Sequence, residues 1–222
     1  MENNKLDKLA NGLYKLVIFD FDGTLYEPNK MAKSLVFGDL LNAFKAYKER
    51  KARKAMRGND YGNSENFYTE FFARIGNNAK EWYFDKYMPL MVKILKTRFE
   101  ARPHAQEIID KLQNSGTKVV VLSDYTFVAE RMAAIGLSLP QEQLFSTEDF
   151  GALKPVARPF LELASKYGIE PSNCLIVGDR PDTDLAGAKA AGMDGLVIKT
   201  KKYEKEQIEE MVEWQKFSKQ II

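Results

Sequence analysis

The 222-residue sequence predicts an α/β protein built on a parallel sheet, with a helical insertion after its first strand. Three observations predict it. Short apolar runs rich in β-branched residues recur along the chain, helical spacing fills most of the intervals between them, and one long stretch has helical patterns but no strand.

The runs come first. Leu16–Phe19, Lys118–Leu122 and Cys174–Val177 are continuous apolar segments closed by polar or glycine positions, the pattern of strands buried on both faces. Gly195–Ile198 is a shorter fourth candidate, and Gln143–Ser146 a weaker fifth. Between them, Ala105–Asn114 places Ile108, Ile109 and Leu112 on one helical face, with Gly116 as its stop. Phe160–Tyr167 follows Pro159 and ends at Gly168, and the alanine-rich Asp184–Ala191 ends at Gly192. Residues 1–12 are polar, a loose leader or short helix. Strands alternating with helices imply right-handed crossovers and a parallel sheet.

Residues 29–98 break the rhythm. Helical patterns cover roughly 30–57, 64–75 and 79–98, and Phe67, Tyr68, Phe71, Phe72, Trp82, Tyr83, Phe84 and Tyr87 can give this stretch its own small core. The expected division is therefore a main domain of residues 1–28 and 99–222, with an inserted helical unit of residues 29–98. The tail from Lys201 carries Ile208, Met211, Val212 and Phe217 at near-helical spacing, suited to packing on the main domain or to a dimer interface. Monomer and homodimer both stay open.

Composition narrows the function. With 45% hydrophobic residues a full core can form. A net charge of +2, from 33 basic and 31 acidic side chains, gives no reason to expect nucleic acid as a partner. A single cysteine, Cys174, excludes a disulfide framework or cysteine-based zinc site and reads as a small hydrophobe opening a strand. There is no apolar signal core at the start and no run of roughly 20 apolar residues, so a cytoplasmic protein without membrane attachment is expected.

The chemistry gathers at strand ends, where open α/β sheets place their ligands. The first strand runs into Asp20-Phe21-Asp22-Gly23-Thr24. Two carboxylates this close repel unless a cation neutralises them or one keeps a proton. Oxygen-rich sites of this kind suit Mg2+, which also binds substrate phosphate, and an aspartate can attack phosphorus while its neighbour moves protons. Ser123 ends the second strand and offers a hydroxyl; alone it is ordinary turn chemistry. Lys154, before Pro155, can neutralise a transferring phosphoryl group; alone it reads as a solvated lysine. The third long strand ends in Gly178-Asp179-Arg180-Pro181-Asp182-Thr183-Asp184, whose aspartates can cap a helix or share a cation with the first pair.

Together, in this order, these residues resemble the four motifs of the haloacid dehalogenase superfamily: DxDGT at Asp20–Thr24, the strand-end serine at Ser123, Lys154-Pro155, and GDxxxxD through Asp179 and Asp184. The resemblance spans about residues 13–199. It implies a Rossmann-like three-layer fold, the helical insertion being a cap like that of phosphoglycolate phosphatases and β-phosphoglucomutase. It implies a Mg2+-dependent phosphatase of a small phosphorylated metabolite, with Asp20 as nucleophile and Asp22 as general acid and then base. Ser123 and Lys154 would hold the phosphoryl group, with Gly23, Thr24 and Asp124 lining it. Asp20, the backbone carbonyl of Asp22, Asp179 and Asp184 would surround the metal, Asp184 directly or from behind, and Thr24 would steady Asp22. A phosphomutase is the alternative enzyme, and a non-catalytic phospho-ligand binder the alternative class.

Some positions depart from that pattern. Arg102-Pro103-His104-Ala105 stands where relatives usually have Pro-Gly, Asp124 stands where asparagine is common, and Pro159 falls two positions late. Asp124 suits a variant turn residue, and His104, the only histidine, a structural role near the cap hinge. The basic run Lys48–Arg57 reads as a solvated helix face, with a cap surface greeting an anionic substrate as the other reading.

Overall fold

The protein, seen here as a computed structural model, is described over residues 2–27 and 40–222. Residues 30–39 of the expected first insertion helix, and the expected boundary after residue 28, lie outside the described residues. Helix α1 (Glu2–Ala10) leads into β1 (Leu16–Phe19). The insertion follows as α2 (Leu40–Met56), α3 (Ser64–Ile75), α4 (Ala79–Trp82) and α5 (Met88–Arg98), the last two joined by a π-helical turn at Tyr83–Tyr87. Then come α6 (Ala105–Asn114), β2 (Lys118–Ser123), α7 (Val128–Ala134), β3 (Leu144–Ser146), α8 (Arg158–Lys166) and β4 (Cys174–Gly178). A π-helical turn at Pro181–Leu185 opens α9 (Ala186–Ala190), and β5 (Asp194–Ile198), β6 (Met211–Val212) and α10 (Trp214–Ile221) complete the chain.

All strand pairs are parallel and the order is β3-β2-β1-β4-β5-β6, which puts β1 at the centre. Strand alternation sorts the apolar runs onto two faces. Val17, Phe19, Val119, Val121, Leu175 and Val177 pack with Leu6 and Leu9 of α1, Ile108, Ile109 and Leu112 of α6, Met132 of α7 and Phe217 of α10. Leu16, Ile18, Val120, Leu122, Cys174 and Ile176 meet Phe160, Leu163 and Ala164 of α8 and Ala188 of α9. Both faces are covered, which is why these strands are apolar throughout rather than alternating. Each such side chain contributes roughly 1.5–3 kcal/mol through removal from water. The result is the three-layer, Rossmann-like sandwich.

The insertion helices share a separate cluster, with Met56, Phe67, Phe71, Trp82, Tyr83, Tyr87 and Met88 packed together. Leu153 of the main sheet's loops joins that cluster, one residue before Lys154. Asn63 caps α3 by accepting from the Asn66 N–H at 2.9 Å. Among the described residues no helix is long and apolar enough to cross a membrane.

Two elements differ from the sequence reading. The tail is not one helix: Met211 and Val212 pair with Val197 and Ile198 as a sixth strand, and α10 begins only at Trp214. A two-residue strand carries no periodicity of its own and is stabilised by the sheet edge it completes. Helix α7 was not foreseen, because seven residues give barely two turns of pattern.

Candidate active site

The register of the sheet brings the strand ends level. Phe19 lies opposite Val121 and Val177, and the Asp20 N–H still donates to Val177 O at 2.8 Å, so Asp20 leaves the sheet directly between β2 and β4. Asp20 is 7% exposed, Lys154 2%, Asp179 8% and Asp184 2%. Lys154 reaches in from the loop before α8, its Nζ donating to Asp20 Oδ1 at 2.5 Å and to Asp184 Oδ1 at 2.8 Å. Thr24 Oγ1 donates to the other Asp20 oxygen at 2.9 Å. Thr24 therefore steadies Asp20, a correction to the expectation that it would steady Asp22.

Two glycines permit this crowding. Gly23 has φ +97°, and a Cβ there would collide with the Asp179 carboxylate. A Cβ on Gly178 would collide with the Asp184 side chain. The π-helical turn after β4 folds Asp184 back towards the sheet, where its Oδ2 accepts from the Arg180 N–H at 3.1 Å. Asp182, between them, faces away: Arg180 Nε donates to it at 3.0 Å and Tyr203 Oη at 3.2 Å.

Carboxylate oxygens of Asp20, Asp179 and Asp184 all lie within 4.8 Å of one another. One ammonium pairs with two of these three carboxylates. Burial pushes the Asp20 carboxyl well above the ordinary range; Lys154 opposes this, and Asp184, Asp179 and Asp22 push it further up. Asp179 is pushed up to about 7, by burial and then by Asp184. Burial works against the Lys154 ammonium, but Asp184 and Asp20 outweigh it and hold it above the usual lysine range. Asp179 Oδ1 is buried without a hydrogen-bond partner. An orphaned oxygen inside an acidic, all-oxygen cluster is the position a hard divalent cation fits.

Asp22 is turned to other partners. Its Oδ1 accepts from Tyr26 Oη at 2.6 Å and from Arg131 Nη2, and its Oδ2 accepts from Ser123 Oγ at 3.0 Å. Burial raises its carboxyl, but Arg131, Tyr26 and Ser123 outweigh that and leave it below the usual range. Asp124 Oδ1 accepts from Thr147 Oγ1 at 3.0 Å and from the Lys154 N–H at 3.2 Å, tying the loops after β2 and β3 together. Its side chain is spent on the turn, as the variant-turn reading had it.

Sequence reasoning missed Arg131 and Tyr26. Arg131 sits on the unforeseen α7, and no spacing linked either residue to a motif. It also missed Arg102, 8% exposed, whose Nη2 and Nε hold Gly23 O at 3.1 Å and Thr24 O at 3.0 Å. His104 has φ +63° at the start of α6 and pairs with Glu107 at 2.9 Å, a structural role. Of the basic run on α2, Arg53 is 2% exposed and contacts Glu148 in the loop after β3 at 2.7 Å, so that run is not solvated throughout.

Comparison with known proteins agrees with this geometry. Residues 14–192 match the family model of haloacid dehalogenase-like hydrolases. A glyceraldehyde 3-phosphate phosphatase of Methanopyrus kandleri is 26% identical over 207 residues, covering 86% of this chain and 87% of its own. Among solved structures, YfnB of Bacillus subtilis, bound to magnesium, superposes with a TM-score of 0.65 at 19% identity, over 94% of this chain and 98% of that one. CbbY of Rhodobacter sphaeroides, in complex with phosphate, gives 0.63 at 15% identity over 90% and 93%. The chain belongs to the haloacid dehalogenase-like hydrolases.

Proposed function

We propose that this protein is a Mg2+-dependent phosphatase of a small phosphorylated metabolite that works through a phosphorylated Asp20. The observation that carries the reading is the buried, partnerless Oδ1 of Asp179, a residue whose carboxylate lies within 4.8 Å of those of Asp20 and Asp184. Asp20, Asp179 and Asp184, with the backbone carbonyl of Asp22, would hold the ion. When bound it supplies positive charge to the transferring phosphoryl oxygens. The named activity of the Methanopyrus kandleri relative on glyceraldehyde 3-phosphate supports a small phosphorylated substrate.

The protein's own groups perform the remaining steps. An Asp20 oxygen bonds to phosphorus as the ester oxygen departs; Asp22, whose carboxyl the arriving phosphoryl charge raises so that it takes up a proton, gives that proton to the departing oxygen. Asp22 then takes a proton from water, whose oxygen attacks phosphorus and breaks the bond to Asp20, releasing phosphate. Lys154 favours the ionised form of Asp20 against its burial and stabilises the negative charge as it spreads over the phosphoryl group. Ser123 Oγ and the backbone N–H groups of Gly23, Thr24 and Asp124 cradle the phosphoryl oxygens. Residues 29–98 act as the cap that shuts out water, joined to the site through Leu153 beside Lys154.

The test is phosphate release from a panel of phosphorylated sugars, trioses and other small metabolites, with Mg2+ and with a chelator. The expected result is release that depends on Mg2+ and is abolished by Asp20→Asn while the protein stays folded. Full activity under chelation would remove the metal from the reading. Full activity in Asp20→Asn would remove the nucleophile.

A further inference from the structure

We infer that Arg131 is the positioning residue for Asp22, fixing which of its oxygens exchanges the proton. The inference rests on the acid–base role proposed for Asp22 above. Arg131 lies in the middle of α7 with its side chain fully buried. A buried guanidinium in a helix that packs on the sheet is an expensive choice where methionine or leucine would pack. Its contacts explain the choice. Nη2 donates to Asp22 Oδ1, while Nη1 donates to Ser123 Oγ at 2.9 Å and to Tyr125 O at 3.3 Å. The planar group lies 4.7 Å from the Phe21 ring centroid and 5.4 Å from that of Tyr125. Its fork therefore bridges the loop after β1, which carries the acid–base carboxylate, and the end of β2, which carries the phosphate-handling serine.

The lone pairs of Asp22 then become distinguishable. A carboxylate oxygen accepts two hydrogen bonds. Oδ1 takes both of its donors from Tyr26 and Arg131, while Oδ2 takes one, from Ser123. The remaining acceptor position is on Oδ2, so Oδ2 is the oxygen that meets the leaving group and later the water. A proton donor must stand within hydrogen-bond reach of the departing oxygen, and a displacement near 1 Å lowers rates about 100-fold. Arg131 is the group that prevents this displacement, since its two terminal nitrogens hold Asp22 Oδ1 directly and Asp22 Oδ2 through Ser123 Oγ.

The test separates positioning from simple support of the fold. kcat/KM reports steps up to departure of the leaving group. That departure needs a proton when the leaving group is an alkoxide and needs none when it is p-nitrophenolate. Wild type, Arg131→Met and Arg131→Lys are compared on p-nitrophenyl phosphate and on glycerol phosphate, with Mg2+. The expected loss in Arg131→Met is about 100-fold in kcat/KM for glycerol phosphate, the size of a general-acid contribution, and under about 5-fold for p-nitrophenyl phosphate. Arg131→Lys, which keeps the charge without the fork and is the variant to read if Arg131→Met fails to fold, is expected to show the same bias at smaller size. Equal losses on both substrates, or none, in the folded variants would overturn the role of Arg131 and leave the phosphatase reading standing. Wild type that hydrolyses neither compound nor any other member of the metabolite panel would overturn that reading, and this inference with it.

Discussion

Two buried charge clusters lie on either side of the loops after β2 and β3, and they are built on opposite plans. Around Lys154, two carboxylates, Asp20 and Asp184, pair with one ammonium, a third, Asp179, lies beside them, and an oxygen of Asp179 is left without a partner. Around Arg53, two carboxylates converge on one guanidinium, and all four of their oxygens are satisfied. Arg53 donates to Glu49 Oε1 and Glu148 Oε1 at 2.7 Å each, Tyr83 Oη and Tyr68 Oη donate to Glu148 at 2.6 and 2.7 Å, and Tyr87 Oη donates to Glu49 at 3.3 Å. Arg53 also donates to Asp124 O and lies 4.0 Å from the Tyr125 ring centroid, clasping the insertion to the β2 loop. Burial and net negative charge are common to both clusters. Satisfaction is not: Asp179 Oδ1 is buried without a partner, whereas every carboxylate oxygen around Arg53 has one. The orphaned oxygen, rather than the number of charges, separates the two arrangements.

Substitution of the central cation tests the distinction most severely. Lys154→Met is expected to lower phosphatase activity by about 100- to 1000-fold, the scale of losing a group that stabilises developing charge. Its thermal midpoint without metal should fall and be partly restored by Mg2+, since the ion can neutralise the same carboxylates. Arg53→Met should instead lose stability by about 3–5 kcal/mol, because Glu49 and Glu148 are left buried and unpaired. For a chain of this size that is a drop of roughly 6–20 °C in the thermal midpoint. Mg2+ should not restore it, and a scan of both variants with and without the ion decides; equal rescue would erase the difference between the clusters.

A smaller effect comes from Asp179. Its folded carboxyl is pushed up to about 7, above the unfolded value of 3.8, so between those values the unfolded chain holds fewer protons than the folded one. The metal-free protein should therefore lose stability as pH rises from about 4 to 7 and level off above that. Asp179→Asn should flatten this slope, leaving the part due to Asp20, stabilise the metal-free protein at pH 8 by on the order of 2 kcal/mol, and weaken Mg2+ binding. Calorimetric titration with Mg2+ and thermal scans across pH would measure both; a destabilised metal-free variant at pH 8 would contradict the orphan's energetics. The smallest effect is Thr24→Val, which removes one hydrogen bond to Asp20. A change of about 1 kcal/mol, roughly 5-fold in kcat/KM, is expected.

Much of this was legible before any coordinates. Asp20, Asp179 and Lys154 announce themselves because each follows a strand or a short motif, and a strand's direction dictates where its next residue emerges. The strands themselves are legible because burial on both faces demands uninterrupted apolar runs. Arg53 was hidden inside a basic run whose other members suit water, and nothing in that run marks the one arginine that folds inward. Arg131 was hidden in a helix too short to show a period. The tail misled because Met211, Val212 and Phe217 satisfy helical spacing, whereas the open edge of β5 offers Met211 and Val212 ladder hydrogen bonds instead.

What the sequence by itself determined is local: which segments are strands, which carboxylates stand at their ends, and where glycine stops a helix. The tertiary structure alone decided the pairings across distance. Asp22 meets Arg131 across 109 positions and Arg53 meets Glu148 across 95, contacts that no periodicity records. The physical reason is that strand and helix patterns follow from each residue's own burial, while an ion pair depends on which two surfaces the sheet order brings together.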